Sequence, residues 1–207
     1  MTCQRTIGVV LFEGFELLDV FGPLEMFGLA AEHFEIRLIS ETGGVVASRQ
    51  GPKSVCDDSF QSAPAIDVLL VPGGIGTRRE VNNPVLLNWL KERSQQAELV
   101  ASVCTGSALL AKAGVLDGLR ATSNKQAFAW AVSQSEKVQW QKQARWVEDG
   151  KFFTSSGVSA GIDMALAVIA KLVSQQAAEE AANFAEYSWQ RDADWDPFAA
   201  LHGLVGD

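Results

Sequence analysis

Short runs of aliphatic and β-branched residues alternate with stretches of helical spacing along most of the chain. Thr6 to Phe12 (TIGVVLF) is apolar throughout and predicts a buried strand. A helix is expected from Glu16 to Ala30, with Gly22-Pro23 inside it. Phe34 to Ser40 alternates apolar and polar positions, the period of a second strand. Gly43-Gly44 opens a hairpin-like region that runs to Cys56. Asp67 to Val71 (DVLLV) is another buried strand, ending in Pro72-Gly73-Gly74-Ile75-Gly76. Asn83-Pro84 starts a helix with proline in its first turn, running to about Ala97. Leu99 to Val103 reads as a strand and Thr105 to Ala113 as a helix.

Beyond Gly114 and Gly118 come a short strand at Ala121-Thr122 and a helix from Gln126 to Ser133. Arg145-Trp146-Val147 and Phe152-Phe153-Thr154 form a hairpin around a glycine-containing turn. A strongly apolar helix from Gly161 to Val173 and a more polar one from Ser174 to Tyr187 follow. This β-α-β alternation predicts an α/β sandwich, a mostly parallel sheet with helices on both faces. No linker or repeat divides the chain, so a single domain is expected over 1–207. Residues 188–207 form an aromatic tail, in which Trp189, Trp195 and Phe198 read as packing or interface anchors.

In such sheets ligands bind beyond the carboxyl ends of the strands. That rule gathers four loops at one place: Glu13 to Asp19, Gly73-Gly74, Cys104-Thr105 and Ser155-Ser156-Gly157-Val158. The third carries the most chemistry. An extended run ends at Cys104, small residues follow, and a helix-forming run comes next, the form of a nucleophile elbow. A cysteine at a helix N-terminus is expected to favour its thiolate.

Composition narrows the function. With 47% hydrophobic and 20% charged residues, the 207-residue chain is an ordinary globular protein. A net charge of −8 argues against a nucleic-acid partner, and the one basic pair, Arg78-Arg79, reads as solvated surface. No signal segment or membrane-length apolar run is present, so a cytoplasmic protein is expected. The three cysteines lie far apart and show no zinc spacing, so no metal is expected. Cys3 reads as an exposed terminal residue and Cys56 as a small core hydrophobe.

Cys104 needs a proton-transfer partner. The two histidines are His33, at the amino end of a strand, and His202, near the end of the chain. A structural or solvated role suits both better than a Cys–His dyad. Asp19, within Leu17-Leu18-Asp19-Val20, has two readings: a cap of the first helix, or a desolvated carboxyl that holds a proton for donation. Glu25 competes for that role or is a solvated helix residue. Gly73 and Gly74 either make a tight turn or direct N–H groups at negative charge. Without a P-loop lysine they disfavour a nucleotide. Asp163 opens an apolar helix and reads as compensating its dipole.

Together the segments LLDVFGPLEMF (17–27), DVLLVPGG (67–74), SVCTGSALLAKAGVLDGLRAT (102–122) and SSGVSAGIDMAL (155–166) resemble the ThiJ/PfpI family. The match spans roughly Ile7 to Tyr187, and the subgroup is similar to isocyanide hydratases and to domains fused to AraC-type regulators. The resemblance implies a flavodoxin-like three-layer sandwich, a homodimer and Cys104 as nucleophile. It implies a catalytic acid at Asp19, with Thr105, Gly157 and Val158 in the site. Family proteases carry histidine directly after the cysteine, where this chain has Thr105. The subgroup's ATTHW segment is replaced by Ala121-Thr122-Ser123-Asn124-Lys125.

The resulting expectation is a cofactor-free hydratase or lyase acting on a small carbon electrophile, an isocyanide being the specific case. Cys104 and Asp19 are its catalytic residues, and Gly73, Gly74, Thr105, Gly157 and Val158 position the substrate. Two alternatives use the same thiolate: a redox or small-ligand sensor, and glyoxalase-like chemistry on 2-oxoaldehydes. With the chain ending soon after this domain, no helix-turn-helix module and no complete AraC-type regulator are expected.

Overall fold

A computed structural model describes residues 4–206; the expectation for Cys3 lies outside them. Strand β1 (Arg5–Leu11) leads into α1 (Leu17–Leu29) and β2 (Phe34–Ser40). A hairpin of β3 (Gly44–Ala47) and β4 (Lys53–Cys56) follows, then the short β5 (Asp58–Ser59) and β6 (Val68–Val71). The single turn α2 (Thr77–Glu80) precedes α3 (Pro84–Gln96), β7 (Leu99–Ser102) and α4 (Gly106–Lys112). Next come β8 (Arg120–Ala121), α5 (Phe128–Val132) and β9 (Gln139–Trp140). A second hairpin, β10 (Trp146–Asp149) and β11 (Phe152–Ser155), is followed by α6 (Ala160–Leu172), α7 (Gln175–Phe184) and α8 (Phe198–Leu201).

Seven strands form one sheet in the order β10-β11-β7-β6-β1-β2-β5. Every neighbouring pair is parallel except β10 and β11. Val9, Val10, Leu69, Leu70 and Val100 are wholly buried, which explains why the central strands read as unbroken apolar runs. Helices α1, α6 and α7 pack against one another on one side, and α3 and α4 with α2 and α5 on the other. The result is the flavodoxin-like α/β arrangement.

Local chemistry explains the element ends. Asn83 caps α3 by accepting N–H bonds from Val85 and Leu86, with Pro84 in the first turn where a missing N–H costs nothing. Ser174 caps α7 by accepting from the Ala177 N–H. The strand expected at Ala121-Thr122 lies at Arg120–Ala121 and pairs with β9 in a small sheet of its own. The short elements β5, α2, β9 and α8 were not expected, because two to four residues are too few to show a period.

Two long-range features position the site. The β3–β4 hairpin is tied to the loop after β1 by Gly14 N–H to Ala47 O (2.9 Å) and Arg49 N–H to Phe15 O (2.8 Å), which brings Arg49 beside Glu16. The tail is bound along the segment that leads into β10, with the Arg145 N–H donating to Ala193 O and the Asp196 N–H to Gln143 O, both at 2.8 Å. Trp195 and Phe198 remain about half exposed. No helix of the described residues is long and apolar enough to cross a membrane.

Candidate active site

The carboxyl ends of β1, β6, β7 and β11 meet at Cys104. Its φ of 57° is left-handed, a region costing a non-glycine residue about 1–3 kcal/mol. Hydrogen bonds on both sides hold it there. The Val103 N–H donates to Val71 O and the Cys104 N–H to Ser156 O (3.0 and 3.1 Å). The Cys104 carbonyl accepts the hydroxyls of Ser107 and Ser123 at 3.1 and 3.0 Å. The elbow is therefore clamped by α4, the loop after β8 and the loop after β11, and Cys104 as a residue is 6% exposed.

Asp19 sits in the first turn of α1 with no exposed surface. Its Oδ2 accepts the Gly73 N–H at 2.8 Å, whereas Oδ1 has no hydrogen-bond partner. A side chain on residue 73 is excluded, since a Cβ there would lie 2.5 Å from Thr105 N and 2.9 Å from Asp19 Oδ2. Gly73 thus lets the β6 loop, Asp19 and the elbow converge.

Electrostatics couples the two acids. Burial pushes the Asp19 carboxyl well above its ordinary value; the Gly73 N–H opposes this, the Glu16 charge adds to it, and the Cys104 thiol opposes it. Burial likewise pushes the Cys104 thiol up, and the negative charge of Asp19 pushes it further. The Thr105 N–H, the Asn124 amide and the Thr105 hydroxyl work in the opposite direction without prevailing. The pull towards the thiolate expected of a helix end is opposed here by burial and by the neighbouring carboxylate. Each acid therefore holds its proton to a higher pH than usual, and a negative charge on Asp19 opposes ionisation of Cys104.

The other expected residues surround this pair. The Gly74 N–H donates to Thr105 Oγ1 (3.1 Å), which also accepts the hydroxyl of fully buried Thr77 at 3.2 Å. The N–H groups of Gly73 and Gly74 are therefore directed at Asp19 and Thr105, and the backbone donor that acts on the sulfur is Thr105. Val158 lines the cleft over Cys104. Gly157 lies behind Asn124, where a Cβ would be 2.1 Å from Asn124 Nδ2. Glu25 is exposed and does not line the cleft over Cys104. His33 lies where β2 begins, and exposed His202 lines a neighbouring pocket, so neither faces the cysteine.

Two residues at the site, Thr77 and Arg78, were not anticipated there, and a third, Asn124, lies in the segment that departs from the subgroup's ATTHW pattern. Within Ser123-Asn124-Lys125, Asn124 reaches the sulfur, while Lys125 turns into the protein. The Lys125 Nζ donates to Thr122 Oγ1 (2.8 Å) and Ala144 O (2.6 Å), and burial lowers its pKa to about 8. Thr77 supports Thr105, and Arg78 enters the cleft. The cleft measures about 580 Å³ and is lined in part by Glu16, Arg49, Arg78, Asn124 and Trp130. Among the described residues no group of three or more histidine, cysteine or carboxylate side chains could hold a metal ion.

The family model of the DJ-1/PfpI family matches residues 5–171. The chain belongs to the DJ-1/PfpI family. Isonitrile hydratase of Pseudomonas putida is 33% identical over 175 residues, 84% of this chain and 74% of that protein. The HTH-type transcriptional regulator GbdR of Pseudomonas aeruginosa is 28% identical over 81% of this chain, which spans 46% of the regulator. Among solved structures, a ThiJ/PfpI family protein from Pseudomonas syringae superposes with a TM-score of 0.80 at 31% identity, covering 90% of this chain and 76% of that one. Drosophila melanogaster DJ-1beta gives 0.81 at 20% identity, covering 90% of this chain and all of that one, a likeness of fold alone. The proteins it resembles thus include both a hydratase and a transcriptional regulator.

Proposed function

We propose that this protein is a cofactor-free hydratase that converts a small isocyanide to an N-substituted formamide. The observation that carries this reading is the Asp19–Cys104 pair, a buried carboxyl with one free oxygen next to a buried thiol at a strained elbow. Hydration of an isocyanide requires a nucleophile and a proton at the same carbon. A carboxyl and a sulfur that share one proton supply both from one side. The 33% identity to isonitrile hydratase supports the same chemistry.

In the reactive form the sulfur is the anion and Asp19 holds the proton. The S–C bond forms at the terminal carbon as the Asp19 proton moves to that carbon, giving a thioimidate and a carboxylate. Water then adds to the thioimidate carbon. One water proton passes through Asp19 to nitrogen, and the remaining hydroxyl proton returns to Asp19 as the C–S bond breaks. The thiolate and the protonated carboxyl are restored, and the net reaction is isocyanide plus water to formamide. Thr105 N–H and Asn124 act on the sulfur and steady it as a leaving group.

Replacing the sulfur tests this directly. Cys104→Ala should reduce formamide release from a panel of isocyanides, followed by chromatography, to the uncatalysed background. Full activity in that variant would refute the reading.

A further inference from the structure

Of the two arginines in the sequence's one basic pair, only Arg79 behaves as surface. It is exposed and salt-bridged to Glu80 at 2.6 Å. Arg78 turns the other way, into the cleft over Cys104, with its guanidinium carbon 3.3 Å from the centre of the Trp130 ring. Its hydrogen bond is to a neutral group, Thr77 Oγ1 at 3.2 Å, and among the described residues no carboxylate lies within ion-pair distance of it. The other arginine of the cleft, Arg49, is 3.7 Å from Glu16, and Gln50 also contacts that carboxylate. The positive charge left without a protein partner in the cleft is thus that of Arg78.

Stacking on the indole fixes the plane of this guanidinium and leaves its edge as the hydrogen-bonding surface. A planar fork with free N–H donors matches a carboxylate in shape and charge. Partial burial works against the arginine's charge, and negative charge at Cys104 works in its favour, so an anion entering the cleft would be stabilised by the same group.

We infer that the cleft binds electrophiles that carry a carboxylate, with Arg78 holding the carboxylate while the electrophilic carbon meets Cys104. The inference rests on Cys104 being the nucleophile of the proposed function, but not on the electrophile being an isocyanide.

Iodoacetate and iodoacetamide test this, since they are nearly the same size and only the first is anionic. Each reacts in one step: the S–C bond forms, the C–I bond breaks, iodide leaves, and the thiol proton passes to Asp19 or solvent. Rates are measured at Cys104 by peptide mass for the wild type, Arg78→Gln and Arg78→Lys. The ratio of the iodoacetate to the iodoacetamide rate should fall roughly tenfold or more in Arg78→Gln, as expected for loss of a charge-assisted hydrogen bond. Arg78→Lys should keep part of it. Because the ratio cancels changes in thiolate fraction, two rates that fall together would mean that Arg78 acts on the sulfur alone and would overturn the inference.

Protection of the wild-type protein provides a second measurement that needs no variant. Acetate should slow iodoacetamide at Cys104 more than acetamide does at equal concentration; equal effects would overturn the inference. Isocyanoacetate and methyl isocyanide separate the two proposals. Absence of formamide from both would end the hydratase reading and leave the alkylation ratio standing.

Discussion

Two aspartates, Asp19 and Asp163, are wholly buried, each in the first turn of a helix, and those helices pack on one another. Their surroundings differ in the number of donors. Asp163 Oδ2 receives Arg145 Nε at 2.7 Å and Nη2 at 2.6 Å, and Oδ1 receives the Tyr187 hydroxyl at 3.0 Å and the Gln190 N–H at 2.9 Å. Burial pushes its pKa up, and these four donors oppose the rise. Asp19 receives one N–H and keeps one oxygen without a partner. A buried carboxylate surrounded by donors ties α6 to the chain after α7 and to the segment before β10. A buried carboxyl left short of donors is expensive to ionise, and it keeps a proton available for chemistry. Burial alone does not separate the two roles; hydrogen-bond satisfaction does.

Exchanging each acid for its amide should separate the roles. The largest effect is expected on catalysis. Asp19→Asn keeps an acceptor for the Gly73 N–H but has no proton to give, so hydratase turnover should fall by roughly 10²–10⁴. Steady-state rates on an isocyanide give the answer, and a loss below tenfold would place the acid elsewhere. Asp163→Asn should act on stability instead, costing up to about 3–5 kcal/mol because the buried Arg145 guanidinium loses its paired counter-charge and keeps only Asp196, 4.0 Å away. Urea titration measures that cost. The rate of Cys104 alkylation in the folded variant should stay within a few-fold of wild type.

The smaller effect is a pH dependence that carries a sign. The folded-state pKa of Asp19 lies above its unfolded value. Its stabilising contribution is therefore present below the unfolded carboxyl pKa of about 3.9 and is lost as pH rises through the folded value. Asp19→Asn lacks that loss, so its Tm should gain on the wild type as pH is raised from about 4 towards neutrality. Thermal melts at several pH values read the difference directly. A variant Tm that instead loses ground to the wild type as pH rises would mean the carboxylate is stabilised in the fold, as in an ordinary ion pair.

The same contrast explains what the sequence made legible. Strands β1, β6 and β7 and helices α1, α3 and α6 are long or apolar enough to announce themselves by period, and each appears within a few residues of its expected place. The elbow at Cys104 was visible because strand, small residues and helix are contiguous. Asp19 was visible only as one of two readings, since a capping aspartate and a proton-holding one look alike in sequence. The convergence of Gly73, Thr105 and Asp19, which separates the readings, joins residues as far as 86 positions apart. Thr77 and Arg78 were missed at the site for the same reason, while Asn124 was visible only through its departure from the subgroup's pattern. A charged pair such as Arg78-Arg79 carries no mark that one member stacks on Trp130 while the other faces water.

The central claim, that a negative charge on Asp19 opposes ionisation of Cys104, is tested most directly by the pH profile of iodoacetamide alkylation at Cys104, assigned by peptide mass, in wild type and Asp19→Asn. With the carboxylate gone, the alkaline step in the rate should move to lower pH, because burial still holds the thiol up but the Asp19 charge that adds to it has been removed. Superimposable profiles would contradict the account.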